Sequence, residues 1–349
     1  MNYFKSFYTY SPSVSIKLEP NNHKKFKYIT KDNIIQSFPT YYDKDKISGN
    51  IELKLNNNKS ILIESLNIYL LGLFQNNNAK ISDKIFEDSI QIIGPNNPET
   101  IISEINNFNF VFEPKSKPYE TYIGDSIQII YVLTVIAKIK VNNNSQEINN
   151  QVGICCLKPA TKKIYEEYYL NKDYNKNLNI NIGVENVIHV NIKLFKTKYC
   201  LDDVIVGKIK INKSEIQLNN IFLEIKREEK TITGDTNLSN IQNLAKYELV
   251  EGYPETGDEI YFRYYLNGVK NLGPSYNNNK DDKDKKYEVN YYVSFEFNDD
   301  QGYQFFKNIE IGIYRMYLDN ILNQNEEDNK NNIENKNEFL SVKKQLNKK

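Results

Sequence analysis

Side chains that could do chemistry are scarce in this sequence, and none is spaced for catalysis. Only two histidines occur among 349 residues. His23 sits in a polar stretch. His189 falls inside the strand-like run Val187-Ile-His-Val-Asn-Ile192, where it reads as a strand residue rather than a base or a metal ligand. Cys155 and Cys156 are adjacent, so on a strand they point to opposite faces and cannot chelate one metal together. Cys200 lies near no cluster of histidines and carboxylates. The run Asp281-Asp-Lys-Asp-Lys-Lys286 lacks the spaced carboxylates and central glycine of a calcium loop and reads as a solvated loop. There is no phosphate-binding Gly-rich loop, no G-x-S-x-G elbow and no H-E-x-x-H pair. The chain is therefore expected to need no cofactor and no metal, and to work by contact through sheet edges and loops rather than as an enzyme.

The elements that would carry such contacts are marked by two phrases, each occurring twice in the same order. Asp45-Lys-Ile-Ser-Gly-Asn-Ile51 returns as Asp203-Val-Ile-Val-Gly-Lys-Ile209, an offset of 158 residues. Glu120-Thr-Tyr-Ile-Gly-Asp-Ser-Ile127 has a shorter counterpart in Glu255-Thr-Gly-Asp-Glu-Ile260. Each copy leads from a Gly and an acid into period-two alternation, such as Ile127, Ile129, Tyr131 and Ile260, Phe262, Tyr264. That is the pattern of a turn feeding a half-buried strand. The two copies of the glycine pair are 75 and 50 residues apart, a difference that loops on a β frame absorb. The chain thus reads as all-β, two tandem sandwiches spanning residues 1–179 and 180–319. From 320 to 349 apolar residues nearly vanish, and a disordered tail is expected there.

Composition agrees with strands. Aromatic content is 13%, with 27 tyrosines. Asparagine runs at 56–58, 76–78, 142–144 and 277–279 separate apolar segments and read as lengthened hairpin loops. The 45 basic residues balance 45 acidic ones, so no net field draws the chain to nucleic acid or to an anionic bilayer. No apolar run has the length of a bilayer span, no signal peptide is evident, and three cysteines do not make a disulfide framework. A soluble cytoplasmic protein is expected, reaching any membrane only through partners.

Four blocks carry a family resemblance: Lys117-Pro-Tyr-Glu-Thr-Tyr-Ile-Gly124, the stretch from Gly183-Val-Glu-Asn to Ile209, Ala245-Lys-Tyr-Glu-Leu-Val-Glu-Gly252, and Phe305-Phe-Lys-Asn-Ile-Glu-Ile311. Together they resemble the vacuolar protein sorting-associated protein 26 family, the arrestin-like subunit of the retromer core. The similarity runs in order from about residue 14 to residue 315. It implies two arrestin-like sandwiches that scaffold endosomal cargo sorting without catalysis, peripheral on endosomal membranes. It also implies contacts. Leu249 and Val250 would meet the α-solenoid subunit of retromer, vacuolar protein sorting-associated protein 35. Asp43 and Leu157 would form part of a sorting-nexin surface, and Ile182 and Phe306 would line a groove for transmembrane cargo tails.

Other functions leave testable marks. An arrestin-domain adaptor that recruits ubiquitin ligases would carry Pro-Pro-x-Tyr motifs, and the sequence has none. A retriever-type paralogue matches the Tyr-Ile-Gly and Val-Ile-Val-Gly-Lys blocks less well. A ligand-binding sandwich needs a convergent polar pocket, and no titratable cluster points to one.

Overall fold

A computed structural model describes residues 12–21, 25–29, 34–55, 61–77, 81–101, 104–141, 144–160, 164, 166–168, 176–185, 187–233, 236–276 and 287–316. The expected tail at 320–349, the charged run at 281–286 and His23 lie outside the described residues. The first half contributes β1 (Ser13–Leu18), β2 (Phe26–Ile29), β3 (Ile35–Phe38), β4 (Thr40–Tyr42), β5 (Ile47–Lys54), β6 (Ile61–Asn76), β7 (Ile81–Ile93), β8 (Glu99–Ile101), β9 (Ile105–Phe112), β10 (Tyr122–Ile123), β11 (Ile127–Val141) and β12 (Asn144–Leu157). The second adds β13 (Leu178–Val184), β14 (Ile188–Leu194), β15 (Lys198–Cys200), β16 (Val204–Ser214), β17 (Leu218–Thr233), β18 (Thr236–Glu251), β19 (Glu259–Tyr265), β20 (Tyr287–Asp299) and β21 (Gln304–Tyr314).

These strands make the all-β architecture expected of an arrestin-like chain. In the first half a sheet β1-β5-β9 packs on β4-β12-β11-β6-β7, with β10 beside β11 and β8 beside β6. In the second half β13-β14-β16-β19 packs on β15-β21-β20-β17-β18. Among the described residues no sheet mixes strands from the two halves, and β2 and β3 form a separate hairpin. Alternation along β5 and β16 turns Ile47, Ile51 and Leu53, and Ile205, Ile209 and Ile211, into the cores. Burying each such side chain contributes about 1.5–3 kcal/mol.

The repeated phrase has the same physical content in both halves. Asp45 accepts the Tyr42 N–H at 2.6 Å while its own N–H donates to the Tyr42 carbonyl at 3.0 Å. Asp203 repeats this with Cys200, at 3.1 Å for both bonds. Each turn follows a three-residue strand that pairs in parallel, β4 with β12 and β15 with β21. Gly49 then lies opposite Phe110, and Gly207 opposite Phe262. A Cβ on Gly49 would sit 2.3 Å from the Lys17 carbonyl and 2.9 Å from the Phe110 ring; on Gly207, 2.4 Å from the Lys193 carbonyl and 2.6 Å from the Phe262 ring. The glycines are needed because a neighbouring strand and an aromatic ring already fill the side-chain space.

Periodicity alone missed several strands. β7 mixes apolar and charged residues without strict alternation, and the first half of β12 and most of β18 are polar, yet β12 is hydrogen-bonded along β11 from Asn144, and β18 along β17 from Thr236. Backbone pairing with a long apolar neighbour holds such strands, and β7 and β18 can carry many polar residues because they are sheet edges. Asn144, read as loop, is the first residue of β12.

The halves meet across a seam that is polar at its centre. Glu229 on β17 accepts the Tyr122 hydroxyl at 2.6 Å and the backbone N–H groups of Asp125, Ser126 and Ile127 at 3.2, 2.7 and 3.3 Å. Arg227 pairs with the same carboxylate at 3.1 Å and lies over the Tyr122 ring; Arg227 is 3% and Glu229 2% exposed. Gly124 gives the carboxylate room, since a Cβ there would fall 1.9 Å from Glu229 Oε1. Arg315 grips Glu120 through two nitrogens at 3.2 and 3.1 Å. Beside this, Tyr119, Tyr276 and Tyr287 cluster with ring centroids 4.4–5.4 Å apart.

Candidate functional site

The described residues gather no group of three or more His, Cys, Asp or Glu side chains able to hold a metal, and no helix among them is long and apolar enough to cross a membrane. All three cysteines are free and buried, and burial pushes the Cys155 thiol up to about 12. A thiol held protonated is a poor nucleophile. Cys155 packs with Tyr42 and Leu157, while Cys156 faces the main core, as opposite faces of one strand require. His189 lies on the exposed side of β14, paired with Gly183 of β13. What the molecule offers instead are surfaces, found at the edges and ends of its sheets.

Leu249 and Val250 lie at the end of β18, an edge strand that among the described residues pairs with β17 alone. Here the ladder slips: Ile221 pairs with Val250 and Phe222 with Glu248, leaving Leu249 as the extra residue of a β-bulge. Simple alternation would turn one of the two to the core and the other to solvent, and the bulge breaks it. Both are half-buried, with one side against the core and the other open. Flanking hydrogen bonds tie this edge to β17. Asn220 donates to Glu248 at 2.6 Å, and the Gly252 N–H donates to the Asn219 carbonyl at 3.0 Å, with Gly252 at φ 113°. Tyr247 is 53% exposed beside the pair and packs edge-on against Tyr264 of β19.

Ile182 and Phe306 are brought together at the opposite side of the same sandwich. There the edge strand β13 and the exposed portion of β21 leave a groove of about 320 Å³. Its floor includes Val190, Phe297 and Phe305, with Ile182 and Phe306 on its walls. Phe305 points inward and Phe306 outward, as neighbours on a strand must; Phe306 is 55% exposed and Ile182 is half-buried. The Lys226 ammonium sits 5.6 Å from the Phe306 ring centroid. Neither side chain is fully enclosed by its own domain.

Asp43 and Leu157 also lie close, since Leu157 pairs with Tyr42, the residue before Asp43. Their environments differ. Leu157 is 4% exposed and packs with Tyr42, Cys155, Phe26 and Phe38, so it supports this surface from beneath. Asp43 accepts the Lys117 N–H at 3.2 Å and the Ser116 hydroxyl at 3.1 Å, with the Lys158 ammonium 3.6 Å away. Its carboxylate therefore fastens the loop before β10 to the end of β4.

The seam residues Arg227, Glu229 and Asn271 were not singled out from the sequence. The available signal was a run of five charged residues, Lys226-Arg-Glu-Glu-Lys230, following an alternating stretch of the strand.

A family model described as Vacuolar protein sorting-associated protein 26 matches residues 9–302. Vacuolar protein sorting-associated protein 26B of Mus musculus is 26% identical over 314 residues, 89% of this chain and 87% of that protein, and the Homo sapiens protein matches equally. Vacuolar protein sorting-associated protein 26 of Plasmodium falciparum (isolate 3D7) is 26% identical over 304 residues, 87% of this chain and 95% of its own length. The matched span runs from before β1 to just past the end of β20, well over half of the chain, and on that basis the chain belongs to the vacuolar protein sorting-associated protein 26 family.

Proposed function

We propose that this chain is a non-catalytic core subunit of retromer, acting in endosomal protein sorting. It bridges the α-solenoid subunit, vacuolar protein sorting-associated protein 35, to sorting nexins and cargo. In this reading it serves retrograde endosome-to-Golgi and endosome-to-plasma-membrane transport, peripheral on endosomal membranes. Family membership supports the sorting role. The observation that carries the partner assignment is the apolar pair Leu249–Val250, held half-open by a bulge at the free end of an edge strand. An apolar partner surface would remove the cost of leaving that pair wet.

The other two surfaces complete the reading. The groove between Ile182 and Phe306 suits one apolar side chain of an extended cargo tail, and burying such a side chain contributes about 1.5–3 kcal/mol. Asp43, at the end of β4, offers a carboxylate to a sorting nexin, with Leu157 packed behind it. The deciding experiment is a Leu249→Asp, Val250→Asn double variant, tested for folding by thermal melt and for solenoid binding by calorimetry. A carboxylate buried against the partner costs several kcal/mol. Affinity should then fall by orders of magnitude, at ~1.4 kcal/mol per tenfold. Unchanged affinity would sink the assignment, and a collapsed melting temperature would make the pair core.

A further inference from the structure

We propose that the β2–β3 hairpin is a strap across the seam between the two sandwiches, and that the Asn271 side chain is the anchor fastening it to the second half. One end of the strap is apolar and belongs to the first half. Phe26 and Phe38 pack against Tyr42, Cys155 and Leu157, and the Phe26 N–H donates to Thr40 Oγ1 at 2.9 Å. The other end is polar and crosses 242 residues of sequence. The Ile29 N–H donates to Asn271 Oδ1 at 3.0 Å, and Asn271 Nδ2 donates to the Ile29 carbonyl at 2.7 Å.

That pairing has a specific geometry. On an antiparallel strand the N–H and C=O of one residue point to the same side. Ile29 therefore turns both groups away from β3, its partner through Ile35, and toward Asn271. The amide stands in for a neighbouring strand that, among the described residues, β2 lacks on that side. Asn271 is also the one non-glycine residue at positive φ among the described residues, at 55°. Asparagine tolerates that left-handed conformation better than most side chains. Arg227 reaches the Asn271 carbonyl at 3.5 Å, which ties the anchor loop to the buried ion pair of the seam.

Between strap and seam lies a cleft of about 160 Å³, lined by Phe26, Tyr28, Glu120, Tyr122, Asn271 and Arg315 among others. Every residue of β2 and β3 is half-buried or exposed, and none belongs to the main core, so lifting this hairpin would uncover only the small cluster of Tyr42, Cys155 and Leu157. β3 leads through Pro39 into β4, which ends beside Asp43. The strap thereby joins the Asn271 loop of the second half to the strand that ends beside Asp43 in the first.

The test is hydrogen–deuterium exchange on the full chain, comparing wild type with Asn271→Ala and Asn271→Gly. Glycine accepts positive φ without strain, so that variant removes the amide alone. Exchange in peptides covering 25–29 should accelerate about tenfold in both variants, consistent with losing a hydrogen bond or two. Peptides covering 47–54 in β5 should not change. Unaltered exchange at 25–29 in both variants would overturn the proposal. So would acceleration in Asn271→Ala alone, because the loop backbone rather than the amide would then be the anchor. Equal acceleration in 47–54 would mean general loosening of the first sandwich, and would overturn it as well.

Discussion

Replacing Glu229 by alanine should cost more stability than almost any other single substitution at the seam. The carboxylate neutralises Arg227 at 3.1 Å and accepts four further donors, and both charged side chains are 97–98% enclosed (3% and 2% exposed). Removing one partner of such a pair strands the other charge away from water, typically at ~3–5 kcal/mol. The Tyr122 hydroxyl and the N–H groups of residues 125–127 lose their acceptor too, which places the expected loss at the upper end of that range. For a sandwich of this size the melting temperature moves about 2–4 °C per kcal/mol, so a drop of roughly 10–20 °C is expected. Glu229→Gln keeps an acceptor for the backbone N–H groups and should fall between wild type and alanine. The assay is differential scanning calorimetry of the three proteins at neutral pH. A loss below about 0.5 kcal/mol for Glu229→Ala, the scale of an ordinary surface change, would refute the reasoning. The pair would then be solvated, and the seam would not depend on it.

The glycine and pH predictions follow from the same geometry. Gly49→Ala and Gly207→Ala should each destabilise by ~1–3 kcal/mol, because the added Cβ meets backbone at 2.3 and 2.4 Å that cannot yield cheaply. Matching losses in chemical denaturation are expected, and a neutral result at one site alone would break the equivalence of the two corners. Burial pushes the Glu224 carboxyl up, but Lys226 and Lys246, at 3.0 and 3.3 Å, more than reverse this and hold it below its ordinary 4.5. Glu228 behaves alike, with burial outweighed by Tyr292, Ser239 and Lys230. A folded-state value below the unfolded one gives stability that is present above 4.5 and lost as pH falls through the lowered value. Unfolding free energy measured from about pH 6 to pH 3 should decline below the usual carboxylate range near ~4.3, and the decline should flatten in a Glu224→Gln, Glu228→Gln variant. Parallel curves for the two proteins would reject the assignment.

The sequence by itself determined the local parts of this protein. An aspartate three residues after a short strand can close its own turn. Glycine two positions into an alternating run leaves space that only a neighbouring chain can claim. Because both are short-range requirements, Asp45 with Gly49 and Asp203 with Gly207 were legible as a repeated corner before any strand was placed. The apolar strands β5, β6, β11, β16 and β20 were legible for the same reason, since period two is imposed residue by residue. β7, whose apolar residues do not alternate, and the polar first part of β18 were not, because they are held by the backbone of a neighbour whose position no local pattern reveals. The bulge that makes Leu249 and Val250 share a half-open site depends on register against β17. The groove between Ile182 and Phe306 depends on how two sheets end. The carboxylate of Glu229 reaches a turn 102–107 residues earlier in the chain, and Asn271 reaches Ile29 across 242. Such contacts pair residues that neither propensity nor spacing connects. Only the packing of one finished sandwich on the other brings a buried charge to the donors that satisfy it.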